Sequence, residues 1–383
     1  MLCYILLQQG IHGSFLCNKR MPERIFSAGR ATMNLRVMGN KKKKVRRKME
    51  NLVNSSPLIL VLVFLVIGFV FLMKGADFFV EGSSSIAKRL KVPPIIIGLT
   101  IVAMGTSLPE TAVSVTASLV NNNELAVSNV VGSNIFNLMV VVGVCSILTP
   151  ILVQKETIRR DIPFSMICAL LLLGLGILAA GDTIGMRLGH LDGMILLGFF
   201  AGYIVAMIRS AMKARAAGKN VDMEGMEELE EEIGILSWPK SILFIVGGAL
   251  AIAFGGDLTV DAASRIAIDL GMSQTLVGLT IVSIGTSLPE LVTSVVAARK
   301  NEVDMAVGNA VGSNIFNILM VLGVASAINP VALIRENIID IVILIVFSLI
   351  VWIYAATKQR ISRKEGISMV CMYLIYAGYI IWR

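Results

Sequence analysis

The chain repeats itself. Residues 98–144 (GLTIVAMGTSLPETAVSVTASLVNNNELAVSNVVGSNIFNLMVVVGV) align without a gap with residues 278–324 (GLTIVSIGTSLPELVTSVVAARKNEVDMAVGNAVGSNIFNILMVLGV), and 28 of 47 positions are identical. Weaker matches precede them at the same spacing of 180 residues: Gly75 with Gly255, Asp77 with Asp257, Val80 with Val260 and Leu90 with Leu270. Two like segments of this length must take two like shapes and pack as a pair, which constrains the fold more than any single motif does.

The repeat lies in apolar sequence. The protein is 56% hydrophobic and 16% charged, where an average soluble domain carries about 25% charged residues. Ten apolar segments are expected, near 57–79, 94–118, 125–149, 162–180, 191–208, 240–263, 274–298, 304–328, 337–356 and 367–382. Most approach the roughly 20 residues that a helix needs to cross a hydrocarbon core of about 30 Å. The long hydrophilic connection from Arg209 to Lys240 divides them into two sets of five. Five is odd, so the second set must enter the membrane from the opposite side. The expected fold is an all-α membrane protein of ten transmembrane helices in two inverted five-helix repeats, related by a pseudo-twofold axis in the membrane plane. Its expected parts are a basic, disordered N-terminal extension (1–50), the first repeat (51–208), an acidic linker (209–239) and the second repeat (240–383). Met33 and Met49 are alternative starts, and Met1 to Cys17 resembles a signal peptide only superficially.

Charge placement gives the orientation. With the 209–239 linker in the cytoplasm, the loops on its side hold 17 basic residues and the other side holds four, Arg187, Arg265, Arg335 and Arg383. This is the positive-inside pattern. The 12 basic residues of the N-terminal tail oppose it, and the distributed loops outweigh them. The expected location is the cell (inner) membrane of a prokaryote. The net charge of +8 owes much to one run, Lys41 to Lys48, which suits anionic lipid headgroups better than nucleic acid. Five scattered cysteines imply no disulfide framework, and two histidines leave little material for a histidine zinc site.

Each repeat carries GTSLPE inside an apolar segment, Gly105 to Glu110 and Gly285 to Glu290. An ionised carboxylate at the centre of a membrane helix costs about 2.5–3.5 kcal/mol on insertion scales, so something must compensate it. Pro109 and Pro289 have no N–H, which frees the carbonyls of Gly105 and Gly285 from helical bonding. Thr106 and Ser107 precede Glu110 by four and three residues and share its helix face, as Thr286 and Ser287 do with Glu290. The next segments carry Asn129, Ser133 and Asn137, and Asn309, Ser313 and Asn317, at i, i+4 and i+8. Facing the glutamates, these stripes would complete a nest of oxygen ligands of the hardness that Ca2+ and Na+ require.

GTSLPE with GSNIFN, present twice in two sets of five segments, resembles the cation/calcium exchanger superfamily, specifically its prokaryotic-type sodium/calcium antiporters. The resemblance covers residues 57–383. It implies ions held at the midplane between helices 2, 3, 7 and 8, with helices 1 and 6 sliding across the rest. It implies Ca2+ ligation by Glu110, Glu290 and the carbonyls of Thr106 and Thr286. Sodium sites would add Ser107, Ser133, Asn137, Ser287 and Ser313, with Asn317 counted in the metal-facing set. Many relatives have an acid at the Asn317 position, and its absence argues mildly against potassium co-transport.

The expected activity is antiport of Ca2+ against Na+, electrogenic if three Na+ replace one Ca2+. The counter-ion stays open between Na+ and H+, and potassium dependence is the further alternative. An intramembrane hydrolase is disfavoured because no histidine or lysine lies near Ser107 or Ser287. A channel is disfavoured because two glutamates should hold a dehydrated divalent ion too tightly for rapid conduction. Asp77, Glu81, Asp257 and Asp261 are expected at segment ends, solvated at the interface. The acidic run 222–232 reads as a linker, His190 as structural, and the repeated glycines as points of close helix approach. No cofactor and no obligate protein partner are expected.

Overall fold

The structure, a computed structural model, describes residues 52–53, 55–119, 123–178, 186–216, 236–271 and 283–382. The expected N-terminal extension and the acidic run 222–232 lie outside the described residues. From Leu58 onward the order is α1 (Leu58–Leu90), α2 (Pro94–Thr106), α3 (Leu108–Leu119), α4 (Ala126–Leu148), β1 (Ile151–Leu152), α5 (Thr157–Ile177), β2 (Arg187–Leu188) and α6 (His190–Ala216). There follow α7 (Trp238–Asp269), α8 (Ser283–Thr286), α9 (Leu288–Arg299), α10 (Val303–Ile328), β3 (Val331–Ala332), α11 (Arg335–Lys358), β4 (Arg360–Ile361) and α12 (Arg363–Trp382).

Among the described residues, eight helices are long and apolar enough to cross a bilayer: α1, α4, α5, α6, α7, α10, α11 and α12. The bent pair α2–α3 passes the same test as one span. The seventh segment expected from the sequence, 274–298, is described only from residue 283, where α8 and α9 begin.

Burial sorts the helices. The apolar windows of α4 and α10, which carry GSNIFN, are 78% buried, whereas those of α1, α6 and α12 are 22%, 22% and 17% buried. The exposed residues of the latter are large and apolar, such as Ile59, Val66, Leu191, Met194, Leu374 and Ile375. In a water-soluble protein such a surface would aggregate; against lipid tails it costs nothing. Thus α4 and α10 form the centre, and α1, α6, α7 and α12 lie towards the lipid.

The helices α1 and α7, which correspond at the 180-residue spacing, pack antiparallel. Gly75 of α1 faces Gly248 and Ile252 of α7, and Gly255 of α7 faces Gly68 of α1. A Cβ on Gly248 would fall 2.7 Å from the Gly75 carbonyl, and one on Gly255 would fall 2.7 Å from the Gly68 carbonyl, so only glycine permits this approach. Phe71 meets Phe254 and Phe78 meets Phe244 edge to face, with centroids 5.1 and 5.0 Å apart.

These two helices are longer than the apolar segments 57–79 and 240–263 suggest. At 33 and 32 residues each extends about 50 Å at 1.5 Å per residue, well beyond a core of about 30 Å. Asp77, Glu81, Asp257 and Asp261 therefore lie within the helices, each half-buried, and not at their ends. Asp77 pairs with Lys300 at 3.5 Å, and Lys300 also donates to the Asp77 carbonyl at 3.1 Å.

Two short antiparallel ribbons cross between the halves. β1 pairs with β4, and β2 pairs with β3. α11 runs from β3 to β4, so the ribbons lie at opposite ends of that helix. Several of the expected glycine contacts are present: Gly98 lies against Met305 and Gly308, Gly143 against Gly366, and Gly323 against Gly193 and Leu197.

Candidate ion-binding site

The GTSLPE motif breaks its helix where the proline predicts. α2 ends at Thr106, Ser107 leaves helical geometry (φ −81°, ψ 14°), and α3 starts at Leu108 after a bend of 47°. The second copy does the same: α8 ends at Thr286, Ser287 has φ −96° and ψ 5°, and α9 starts at Leu288. A break of this kind exposes main-chain carbonyls inside the protein without exposing them to lipid, the one setting in which irregular backbone is tolerated at membrane depth.

Glu110 and Glu290 follow the breaks, and both are fully buried. Their bonds are crossed between the halves. Ser107 Oγ donates to Glu290 Oε1 at 2.9 Å, and Ser287 Oγ donates to Glu110 Oε1 at 3.3 Å. Ser133 of α4 adds a donor to Glu110 Oε1 at 3.5 Å. Its counterpart Ser313 of α10 is buried beside Glu290. The second oxygen of each carboxylate, Oε2, is buried and receives no donor among the described residues.

The asparagines stand around this pair in a second crossed set. Asn134 Nδ2 donates to the Asn314 carbonyl and Asn314 Nδ2 to the Asn134 carbonyl, both at 3.1 Å. Asn137 Nδ2 donates to Asn314 Oδ1 at 3.2 Å, and Asn317 Nδ2 to Asn134 Oδ1 at 3.1 Å. Among the described residues the amide oxygens of Asn137 and Asn317 are left buried and without a donor. Each of these two residues also opens a π-helical turn, Asn137–Val141 and Asn317–Leu322. Such turns interrupt the regular ladder and are frequent at functional sites.

The outer asparagines act on the main chain. Asn309 Nδ2 donates to the Glu290 carbonyl at 3.3 Å and to Ser294 Oγ at 2.9 Å; Asn129 does the same to the Glu110 carbonyl at 3.5 Å and Ser114 Oγ at 3.0 Å. Thr106 Oγ1 donates to Asn309 Oδ1 at 3.1 Å. Thr286 is half-buried beside the second break.

All ten residues singled out from the sequence are described, and they converge from α2–α3, α4, α8–α9 and α10. The sequence reading missed Asn134, Asn314, Ser114 and Ser294. All four are identical at the 180-residue spacing, which is the signal that could have found them. Asn134 and Asn314 sit one residue beyond the serines of the polar stripes, about 100° around the helix, and so escape an i, i+4, i+8 pattern. Among the described residues no three His, Cys, Asp or Glu side chains come together. The site is two carboxylates among amides and hydroxyls.

The comparison with known families decides the affiliation. The sequence model described as "Sodium/calcium exchanger protein" matches residues 60–209 and 240–382. The chain belongs to this exchanger family. Members of it are transporters and not enzymes, and this one is a multi-pass integral membrane protein of the prokaryotic sodium/calcium type. Among its relatives, the putative antiporter CaxA of Alkalimonas amylolytica is 38% identical over 321 residues, spanning 82% of this chain and 96% of the relative. The sodium/calcium exchanger MaX1 of Methanosarcina acetivorans is 33% identical over 338 residues, spanning 82% and 96%. Among solved structures, the sodium-calcium exchanger NCX_Mj soaked with zero Na+ and Ca2+ superposes with a TM-score of 0.70 at 30% identity, covering 83% of this chain and 98% of that one. In this exchanger chain Asn317 donates a hydrogen bond through Nδ2, which an ionised acid at the same position has no proton to make.

Proposed function

We propose that the chain is a secondary antiporter that exchanges Ca2+ for Na+ by alternating access, moving net charge in each cycle. The observation that carries this reading is the crossed bonding of Glu110 and Glu290 and of the asparagines, which leaves four buried acceptor oxygens without donors among the described residues: both Oε2 atoms and the Oδ1 atoms of Asn137 and Asn317. A buried acceptor left unsatisfied costs about 1–3 kcal/mol. A cation offsets several at once. The set offers oxygen only, which suits hard ions and gives nothing to thiol- or imidazole-seeking metals.

In this reading Ca2+ is held by Glu110, Glu290 and the carbonyls of Thr106 and Thr286. Sodium ions use the same glutamates with Ser107, Ser133, Asn137, Ser287, Ser313 and Asn317. Two carboxylates balance one Ca2+. Three Na+ in its place leave one net positive charge, so exchange feels the membrane potential by about 2.3 kcal/mol per charge per 100 mV. Both ions are cargo, and the mechanism uses no cofactor.

The same reading assigns ten spans in two inverted repeats, residues 51–208 and 240–383, joined by a cytoplasmic linker at 209–239 in the cell membrane. Support comes from the antiparallel packing of α1 and α7 and from α8–α9, which repeats the break of α2–α3.

The experiment is flux in proteoliposomes loaded with Na+ and diluted into Na+-free medium containing labelled Ca2+, with K+ and pH gradients imposed separately. Uptake should follow the Na+ gradient, proceed without K+, and quicken when the interior is made positive. Uptake that follows a pH gradient without Na+ would transfer the reading to H+/Ca2+ exchange.

A further inference from the structure

Two grooves lie at the lipid-facing side of the protein, and they occupy related places in the two halves. One, of about 390 Å3, runs between α5 and α6. The other, of about 310 Å3, runs between α11 and α12. The second is apolar from end to end, walled by Val346, Phe347, Ile375, Tyr376 and Tyr379. The first is different at its mouth and along its floor.

Its floor is glycine. Among the described residues a Cβ on Gly198 or Gly202 would meet nothing within 4 Å, whereas on the same helix a Cβ on Gly193 would fall 2.5 Å from the Ala327 nitrogen. Gly193 is there for helix packing; Gly198 and Gly202 serve no packing inside the protein and keep the groove open. Counted from the first residue of each helix, Gly202 of α6 corresponds to Ile375 of α12. The wall is aromatic, with Phe164 and Tyr203 stacked at 5.3 Å and 7° between planes. From Gly198 to Met207 the floor extends about 14 Å at 1.5 Å per residue, close to one leaflet of a core of about 30 Å.

Its mouth is a pinned cation. Arg160 Nε donates to Asp161 Oδ1 at 2.7 Å, and Nη1 donates across to Ser210 Oγ of α6 at 2.9 Å. Nη2 makes no bond among the described residues. Arg159, Arg209 and Lys213 are exposed on the same ends of α5 and α6. Among the described residues, the charged groups at these helix ends are Lys155, Arg159, Arg160, Arg209 and Lys213 against Glu156 and Asp161. At the 180-residue spacing Arg160 and Asp161 correspond to Asp340 and Ile341, so the second groove lacks this arginine–aspartate pair.

We propose that the α5–α6 groove seats one anionic phospholipid, with its phosphate on Arg160 and one acyl chain laid along Gly198 and Gly202. Lipid is the medium that already bathes this surface, the groove has the length of one leaflet, and the basic excess at the mouth selects a negative headgroup over a zwitterionic one. The lipid would bridge α5 and α6 where few side chains join them.

The test is native mass spectrometry on the full chain in detergent, titrated with phosphatidylglycerol or phosphatidylcholine of identical acyl chains. One phosphatidylglycerol should bind about tenfold more tightly than phosphatidylcholine, as one or two cationic contacts allow at about 1 kcal/mol each. Arg160→Gln would leave Asp161 buried without its ion pair and could unfold the helix end, so Gly202→Leu is the decisive variant. It fills open space and should bring phosphatidylglycerol down to the phosphatidylcholine level. Gly378→Leu, also in open space but on α12, should leave the preference intact. Equal binding of the two lipids by the unmodified protein, or a phosphatidylglycerol preference that survives Gly202→Leu, would overturn the proposal.

Discussion

Asn134 and Asn314 hold each other through one bond made in both directions, each Nδ2 on the other's main-chain carbonyl at 3.1 Å. Their side-chain oxygens then take the Nδ2 groups of Asn317 and Asn137, which turns the free amide oxygens of those two residues away from the ladder. These two are positioning residues in the proposed site.

Asn134→Ala strips Asn317 of its acceptor and the Asn314 carbonyl of its donor. The expected cost is about 1–3 kcal/mol per buried group left unsatisfied, seen as a lower Tm in detergent. The KM for Ca2+ should rise at the same time, because Asn317 is no longer oriented. A variant matching the unmodified protein in both Tm and KM would refute the positioning role.

Asn317→Asp removes a donor and adds a charge. When ionised, the new carboxylate faces Asn134 Oδ1 with no proton between them; when protonated, it can donate as the amide did. The loss of thermal stability should accordingly be larger at pH 8 than at pH 5. Unfolding curves at the two values, each compared with the unmodified protein, check the sign. Equal losses would mean that the donor is unimportant.

Glu110→Gln and Glu290→Gln keep the volume and the oxygen that the opposite serine reaches, while removing half of the charge that would face Ca2+. Losing one partner of a buried charge pair costs about 3–5 kcal/mol, so labelled Ca2+ uptake should fall at least about 100-fold in each. Both should elute as folded, monodisperse protein in detergent. Normal uptake by both would dismiss the site.

Gly285 underlies a seat for the long helix α7, since a Cβ there would collide with Val260 Cγ2. Gly285→Ala should therefore slow Ca2+ uptake, and the double variant Gly285→Ala with Val260→Ala should recover most of it. Residues in direct contact give such coupling, and distant independent sites do not. Uptake in the double variant that equals the product of the two single losses would show that the sites are independent.

Much of this architecture can be read in the amino-acid order, and the exceptions have physical causes. Apolar runs place the spans because lipid leaves a helix few alternatives. They misjudge the length of α1 because hydropathy falls at Glu81 to Ser85 while the helix continues to Leu90, with Ser83 and Ser85 buried against protein. The glutamates and their serines are legible because proline, hydroxyl and acid recur in one spacing. That Ser107 serves Glu290 and Ser287 serves Glu110 is not legible, since no local pattern specifies which half supplies a donor. The π-helical turns at Asn137 and Asn317 are likewise silent, because side-chain periodicity does not report a single inserted turn.

The exchange of serines and ribbon strands between residues before and after the linker has a structural corollary. Each half holds an acid that takes a hydroxyl donor from the other, and each contains strands whose mates lie in the other. The halves remain unequal in one respect, since α5 carries Arg160 where α11 carries Asp340 at the 180-residue spacing, so an anion near these helix ends would meet a different charge in each.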